Sequence, residues 1–171
     1  MDSPVVFTND TFREAVNLWF DDQEKALRLY RHISTWDTSG VTDMYRLFFR
    51  RSDFNEDLSE WNVSKVETME GMFSGAKAFN KPIGGWDVSN VKTMEGMFYG
   101  ATAFDKTIDG WNVSNVKTME GMFYGATAFN PPIDGRKWFI PTTTKTLDFA
   151  WRNQANYEKL MSLITSPRDT N

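Results

Sequence analysis

The sequence has no cysteine and a single histidine, His32, among its 171 residues. Disulfides, thiolate nucleophiles and cysteine-held zinc are therefore excluded. A paired-histidine metal site is excluded too, and a Ser-His-Asp triad would have to run through His32, which no nucleophile elbow accompanies. His32 reads as a structural or merely exposed side chain. No stretch approaches the roughly 20 apolar residues that span a bilayer. The opening MDSPVVFTND lacks the basic start and apolar run of a secretory leader, so an intracellular site is expected over a secreted one. The net charge of −4 comes without clustered Lys and Arg, which speaks against nucleic acid as a partner. There is no phosphate-binding P-loop and no dinucleotide fingerprint. The sequence thus offers no catalytic, metal or cofactor-binding residues, no evident small-molecule substrate and no membrane insertion, and an enzyme is not expected.

What is present is aromatic and repetitive. Phe, Trp and Tyr make up 15% of the chain, and nine Met accompany them. The segment VSNVKTMEGMFYGATAF occurs at 88–104 and again, unchanged, at 113–129. Trp36, Trp61, Trp86 and Trp111 recur every 25 residues, and the units starting at Trp86 and Trp111 agree at 21 of 25 positions. A fixed period of this length marks stacked repeats in which each coil buries like against like. The columns are Ile33/Leu58/Ile83/Ile108/Ile133, Val41/Val66/Val91/Val116, Met44/Met69/Met94/Met119, Leu47/Met72/Met97/Met122, Phe48/Phe73/Phe98/Phe123 and Phe54/Phe79/Phe104/Phe129. Met at such spacing is core filling.

Within a unit, Val91, Met94, Met97, Phe98 and Ala101 share one face of a predicted short helix. Ser89 is its expected N-cap, with equivalents Ser39, Ser64 and Ser114, and Ser64 with Glu67 forms an expected capping box. Gly75, Gly100 and Gly125 follow as left-handed C-terminal residues. Trp86 and Val88 fit a very short strand. The expected fold is an α/β repeat: a short right-handed leucine-rich-repeat-like solenoid of about five 25-residue coils, each with a short strand and a short helix. It forms one domain, with a helical N-terminal cap over 1–32, four repeats over 33–135, a degenerate repeat and C-terminal cap over 136–164 and a flexible tail over 165–171. In the N-terminal cap, Phe12, Ala15, Val16, Trp19 and Phe20 line one face of a helix capped by Asp10 or Thr11, a second helix follows in DDQEKALRLY, and Leu29 falls in the Phe column.

The phrase WDVSNVKTMEGMFYGATAF closely resembles the repeat of BspA-like leucine-rich-repeat surface proteins, over roughly residues 7–135. That family occurs on bacterial surfaces, in protists and in large DNA viruses. The resemblance implies a repeat fold without catalytic residues and, from the surface members, adhesion and protein binding. Lacking an evident leader or anchor, the chain looks more like an intracellular or virus-encoded member.

If core columns are fixed by their neighbours, functional information belongs to exposed positions that vary between coils. Tyr99 and Tyr124 stand where other units have Phe49 and Ser74. With Lys92, Lys117, Thr102 and Thr127 they form a candidate partner-binding stripe of aromatic and basic residues. Glu70, Glu95 and Glu120 make an acidic column, for which ion pairing with Lys92 and Lys117 within a helix is the plain account. Asn55, Asn80, Asp105 and Asn130 read as a hydrogen-bonded ladder between coils. RLFFRR at 46–51, with three Arg and an extra Phe, reads as a second contact patch or an adaptation to the cap, and the cap is the favoured reading. The function these features predict is a non-catalytic protein-protein interaction module or scaffold. The alternative is a structural component of a particle or surface assembly.

Overall fold

The computed structural model describes residues 5–130. Ile133, the degenerate repeat, the C-terminal cap and the tail lie outside the described residues.

Two helices open the fold. α1 spans Asn9–Asp21 and buries Phe12, Ala15, Val16 and Trp19. Its N-cap is Thr8, which forms a capping box with Thr11, so the helix begins earlier than a cap at Asp10 or Thr11 would allow. α2, Gln23–Tyr30, buries only Ala26. Leu29 is 54% exposed and does not join the Phe column.

Beyond the helices, every residue of the predicted columns within 33–129 is buried, including Trp61, Trp86 and Trp111. The register is the 25-residue one. Isolated parallel bridges run Asp43 to Thr68, Thr68 to Thr93 and Thr93 to Thr118. The Phe48/Phe73/Phe98/Phe123 rings stack at 5.4 to 5.6 Å, and within each coil a second Phe lies on the first at 4.0 to 4.1 Å. Such contacts contribute about 0.5–1.5 kcal/mol each beyond area burial. Each Trp indole N–H reaches a carbonyl of the preceding coil: Trp61 to Ile33, Trp86 to Leu58 and Trp111 to Ile83, at 2.9 to 3.0 Å.

The expected α/β character is wrong. Among the described residues the coils contain no α-helix and no strand, only turns, the isolated bridges and one 3-10 turn, Ile33–Thr35, leading into the first Trp. The reason is visible in the backbone of the second coil. The N–H groups of Met69, Gly71, Phe73 and Gly75 donate to Thr93, Glu95, Met97 and Tyr99 of the next coil at 2.7 to 3.0 Å. The intervening N–H groups of Met72, Ser74 and Ala76 fold back three residues within the coil. An α-helix would direct all of them along its own axis, four residues back. Gly71 and Gly75 are the third residues of successive turns and have φ of +60° and +74°, a conformation that glycine adopts without strain. The three-residue spacing of apolar side chains thus reflects repeated turns, not a helical face.

The serine assignments change with it. The Ser89 N–H donates to Asp87 Oδ1, and Ser64 and Ser114 bind Asn62 and Asn112 in the same way. They close Asx turns and cap no helix. The predicted capping box is absent as well: the Glu67 carboxylate instead meets Lys92 Nζ of the next coil at 2.7 Å. Trp86 and Val88 are both buried, but the segment carrying them is not a strand.

The stack needs a first layer, and α1 supplies it. The N–H of Thr42 stands where Glu67, Lys92 and Lys117 bind the carbonyl of a preceding coil. No coil precedes it, and Asn9 Oδ1 accepts instead, from Thr42 N–H at 2.8 Å and Asp43 N–H at 3.2 Å, while Asn9 Nδ2 donates to Thr42 Oγ1. One turn further along α1, Arg13 donates to the Tyr45 carbonyl at 2.9 Å. In later coils, Glu70 and Glu95 offer that carbonyl to a preceding backbone N–H.

Candidate functional site

The turn segment that leads each coil from its Met to its Ala carries the outward-facing residues of interest. In the third and fourth coils Tyr99 and Tyr124 are each 48% exposed, and their rings stack at 4.8 Å, 14° from parallel. The glycines make this possible. A side chain at Gly121 would meet the Tyr99 ring at 3.8 Å, so the ring lies across a glycine floor.

Of the other predicted site residues, the structure stacks each pair on its own kind. Lys117 N–H binds the Lys92 carbonyl at 2.8 Å. Thr127 Oγ1 binds the Thr102 carbonyl and Thr102 Oγ1 the Lys77 carbonyl, at 3.5 and 3.4 Å. No hydrogen bond or ion pair among the described residues joins the tyrosine column to the lysine or threonine columns. Lys92 is engaged by Glu67 across coils and not by Glu95 three residues on, which corrects the intrahelical pairing. The Asn ladder is present: the N–H groups of Asn80, Asp105 and Asn130 donate to the side chains of Asn55, Asn80 and Asp105 at 2.9 to 3.2 Å.

The RLFFRR segment, for which the sequence favoured the cap over a contact patch, forms a second cluster on the same turn of the first coil. Arg46 lies over both Tyr45 and Phe49, 5.0 Å from each ring centre, and Arg50 over Phe49 at 5.1 Å. Both arginines occupy glycine positions of the later coils and adopt left-handed φ, +50° and +58°. Arg51 does serve the cap, 4.1 Å over Phe20 of α1. The signal that distinguishes them is register: Arg46 and Arg50 align with Gly71 and Gly75, whereas Arg51 does not align with a glycine.

Between cap and first coil lies an open cleft of about 460 Å³, lined in part by Trp19, Phe20, Gln23, Arg51 and Glu56. His32 stands nearby, with Nε2 3.5 Å from the Glu56 carboxylate. Its Nδ1 lies within hydrogen-bond distance of both the Ser34 hydroxyl, at 2.8 Å, and the Ser34 N–H, at 3.3 Å. The Trp19 ring meets the imidazole edge-on at 5.0 Å. The Ser34 hydroxyl, the imidazole and the Glu56 carboxylate thus lie in one exposed line that ties the junction together. Among the described residues no three His, Asp or Glu side chains converge to hold a metal, and no helix is long and apolar enough to cross a membrane.

Three carboxylates are displaced from their ordinary titration range. The Ser39 hydroxyl and N–H hold Asp37 low, and Ser89 does the same for Asp87. The Ser59 N–H and hydroxyl lower Asp57. Each stabilises the charged carboxylate by direct hydrogen bonding.

Neither a curated protein nor a solved structure matches the chain. A family model described as "Mycoplasma protein of unknown function, DUF285" matches residues 11–138, which takes in the second half of the cap and all four Trp-led coils. With three quarters of its length matched, the chain belongs to this DUF285 repeat family.

Proposed function

We propose that the chain is a non-catalytic protein-binding module whose contact surface centres on Tyr99 and Tyr124. The observation that carries the reading is the stacked, half-exposed tyrosine pair. Among the described residues the large exposed apolar side chains of the coils are all tyrosines, Tyr45, Tyr99 and Tyr124, and all lie on the same turn segment of their coils. Rigid, pre-stacked rings lose little freedom on binding and are typical anchors of interfaces. The resemblance of the repeat to BspA-like surface proteins supports binding over catalysis. The test is capture of partners from the native cell with wild type and a Tyr99→Ala/Tyr124→Ala variant. Loss of specific partners from the variant supports the reading, and an unchanged partner set removes it. Urea unfolding of the variant, expected within about 1.5 kcal/mol of wild type for one exposed ring pair, separates lost contact from lost fold.

A second reading is a building block of an assembly. It draws on the exposed Val6, Leu27 and Leu29 of the cap, at 61%, 41% and 54%. Light scattering at high concentration decides it, because a strict monomer ends this alternative.

A further inference from the structure

We infer that the turn face of the second coil is a docking slot for an aromatic side chain of an acidic peptide. The inference rests on the interaction reading above and specifies its partner. The exposed column reads Phe49, Ser74, Tyr99, Tyr124, so the row of rings is interrupted at one coil. The register is continuous through the gap: Arg50 N–H binds the Ser74 carbonyl and Gly75 N–H binds the Tyr99 carbonyl, both at 2.7 Å. Two coil steps therefore separate Phe49 from Tyr99. The Tyr99–Tyr124 pair shows that one step equals one ring-stacking distance, 4.8 Å. A planar ring laid over Ser74 continues the column and stacks on the Tyr99 face that points away from Tyr124.

The charge around this position selects the ring's company. A side chain at Gly71 would touch the Arg46 stem at 3.0 Å, and one at Gly75 would touch Arg50 Cγ at 3.4 Å. The Arg46 side chain thus lies across the second coil at Gly71, while Arg50 meets Gly75 with its backbone and Cγ and lines the cleft toward the cap. Among the described residues neither is paired with a carboxylate; both rest on rings. Arginines held on aromatic faces keep their donor edges available for carboxylates. The acidic column runs Glu70, Glu95, Glu120, and Glu70 stands in the second coil itself next to Gly71, so carboxylates of the occupant are matched only on the arginine side, toward the first coil. The occupant is thereby oriented, with its aromatic ring over Ser74 and its acidic residues toward the first coil.

The test uses the full chain and three capped peptides, Glu-Glu-Phe, Glu-Glu-Leu and Lys-Lys-Phe, with amide shifts of Gly71, Ser74, Gly75 and Tyr99 as readout. The expected result is saturable binding of Glu-Glu-Phe with Kd on the order of 1 mM. The other two peptides should bind at least about tenfold more weakly. Ser74→Tyr fills the gap with the residue the next two coils already carry, so it keeps the fold and should abolish the binding. Arg46→Gln/Arg50→Gln should weaken it about tenfold. Undiminished binding to Ser74→Tyr, equal binding of the leucine peptide, or no shift with Glu-Glu-Phe overturns the inference. Partner capture that depends on Tyr99 and Tyr124 but survives Ser74→Tyr would sink the slot while leaving the broader reading intact.

Discussion

Asn9 closes the first coil in place of a backbone, and that substitution can be measured. Asn9→Ala removes the acceptor of the Thr42 and Asp43 N–H groups and the donor to Thr42 Oγ1. A fully buried amide left without a partner costs about 1–3 kcal/mol. These bonds are part-buried, so water partly compensates and the lower end applies. Two such groups give about 2 kcal/mol of destabilisation, offset by a few tenths from the better helix propensity of alanine. Asn9→Asp keeps the acceptor and adds a favourable charge in the first turn of α1, but brings it near the Asp43 carboxylate; it should cost under about 1 kcal/mol. Urea unfolding followed by tryptophan fluorescence gives both values, and amide exchange locates the damage. Protection of the Thr42 and Asp43 amides should fall first, because a stack frays from an end whose layer is lost. An Asn9→Ala protein within about 0.5 kcal/mol of wild type, with those two amides equally protected, would refute the claim that Asn9 replaces a missing coil.

Gly100 has φ of +67° and open space where a side chain would go, whereas Gly85 has the same space without the left-handed conformation. Gly100→Ala should therefore cost about 1–2 kcal/mol through backbone strain alone, and Gly85→Ala should be neutral or slightly stabilising; equal effects in denaturant unfolding would show that conformation is not the cause. Trp86→Phe leaves the Leu58 carbonyl without its buried donor and should cost about 2 kcal/mol in the same assay. Asp37, Asp57 and Asp87 titrate below the usual carboxylate value of 3.8 in the folded chain. Their contribution is present above about pH 4 and is lost as pH falls through the depressed values. Replacing all three by Asn, which already closes the same turn at Asn62 and Asn112, should flatten the acid-side fall in urea midpoint between about pH 5 and pH 2, and an unchanged slope would count against these turns.

The burial pattern was legible because a 25-residue period forces equivalent side chains together, and Trp, Val, Met and Phe columns can be read without knowing what backbone carries them. The backbone itself was not legible from apolar spacing. Runs of three-residue turns and an α-helix both place a buried side chain at every third position, and only the destination of the N–H groups separates them. The informative letters were the paired glycines of EGMFYG, four residues apart inside the supposed helix, where two left-handed residues forbid helical continuation. The exposed tyrosines were found because they break the sameness of the column. Arg46 and Arg50 were grouped with Arg51 as cap residues because nothing in the first unit shows that an arginine there stands in for a glycine of the later coils. Asn9 lies outside the period altogether, and its role follows only from the three-dimensional end of the stack.

The seventeen shared residues of the third and fourth coils have a consequence for length. Each presents its neighbour with the same Trp, Met and Phe surface and the same row of amides and carbonyls. Excising residues 89–113 would leave the second coil facing a near copy of the layer it already meets, so every surviving junction would be of a kind the chain has already proved. A gene of this design can grow or shrink by whole turns of the stack without renegotiating its interior.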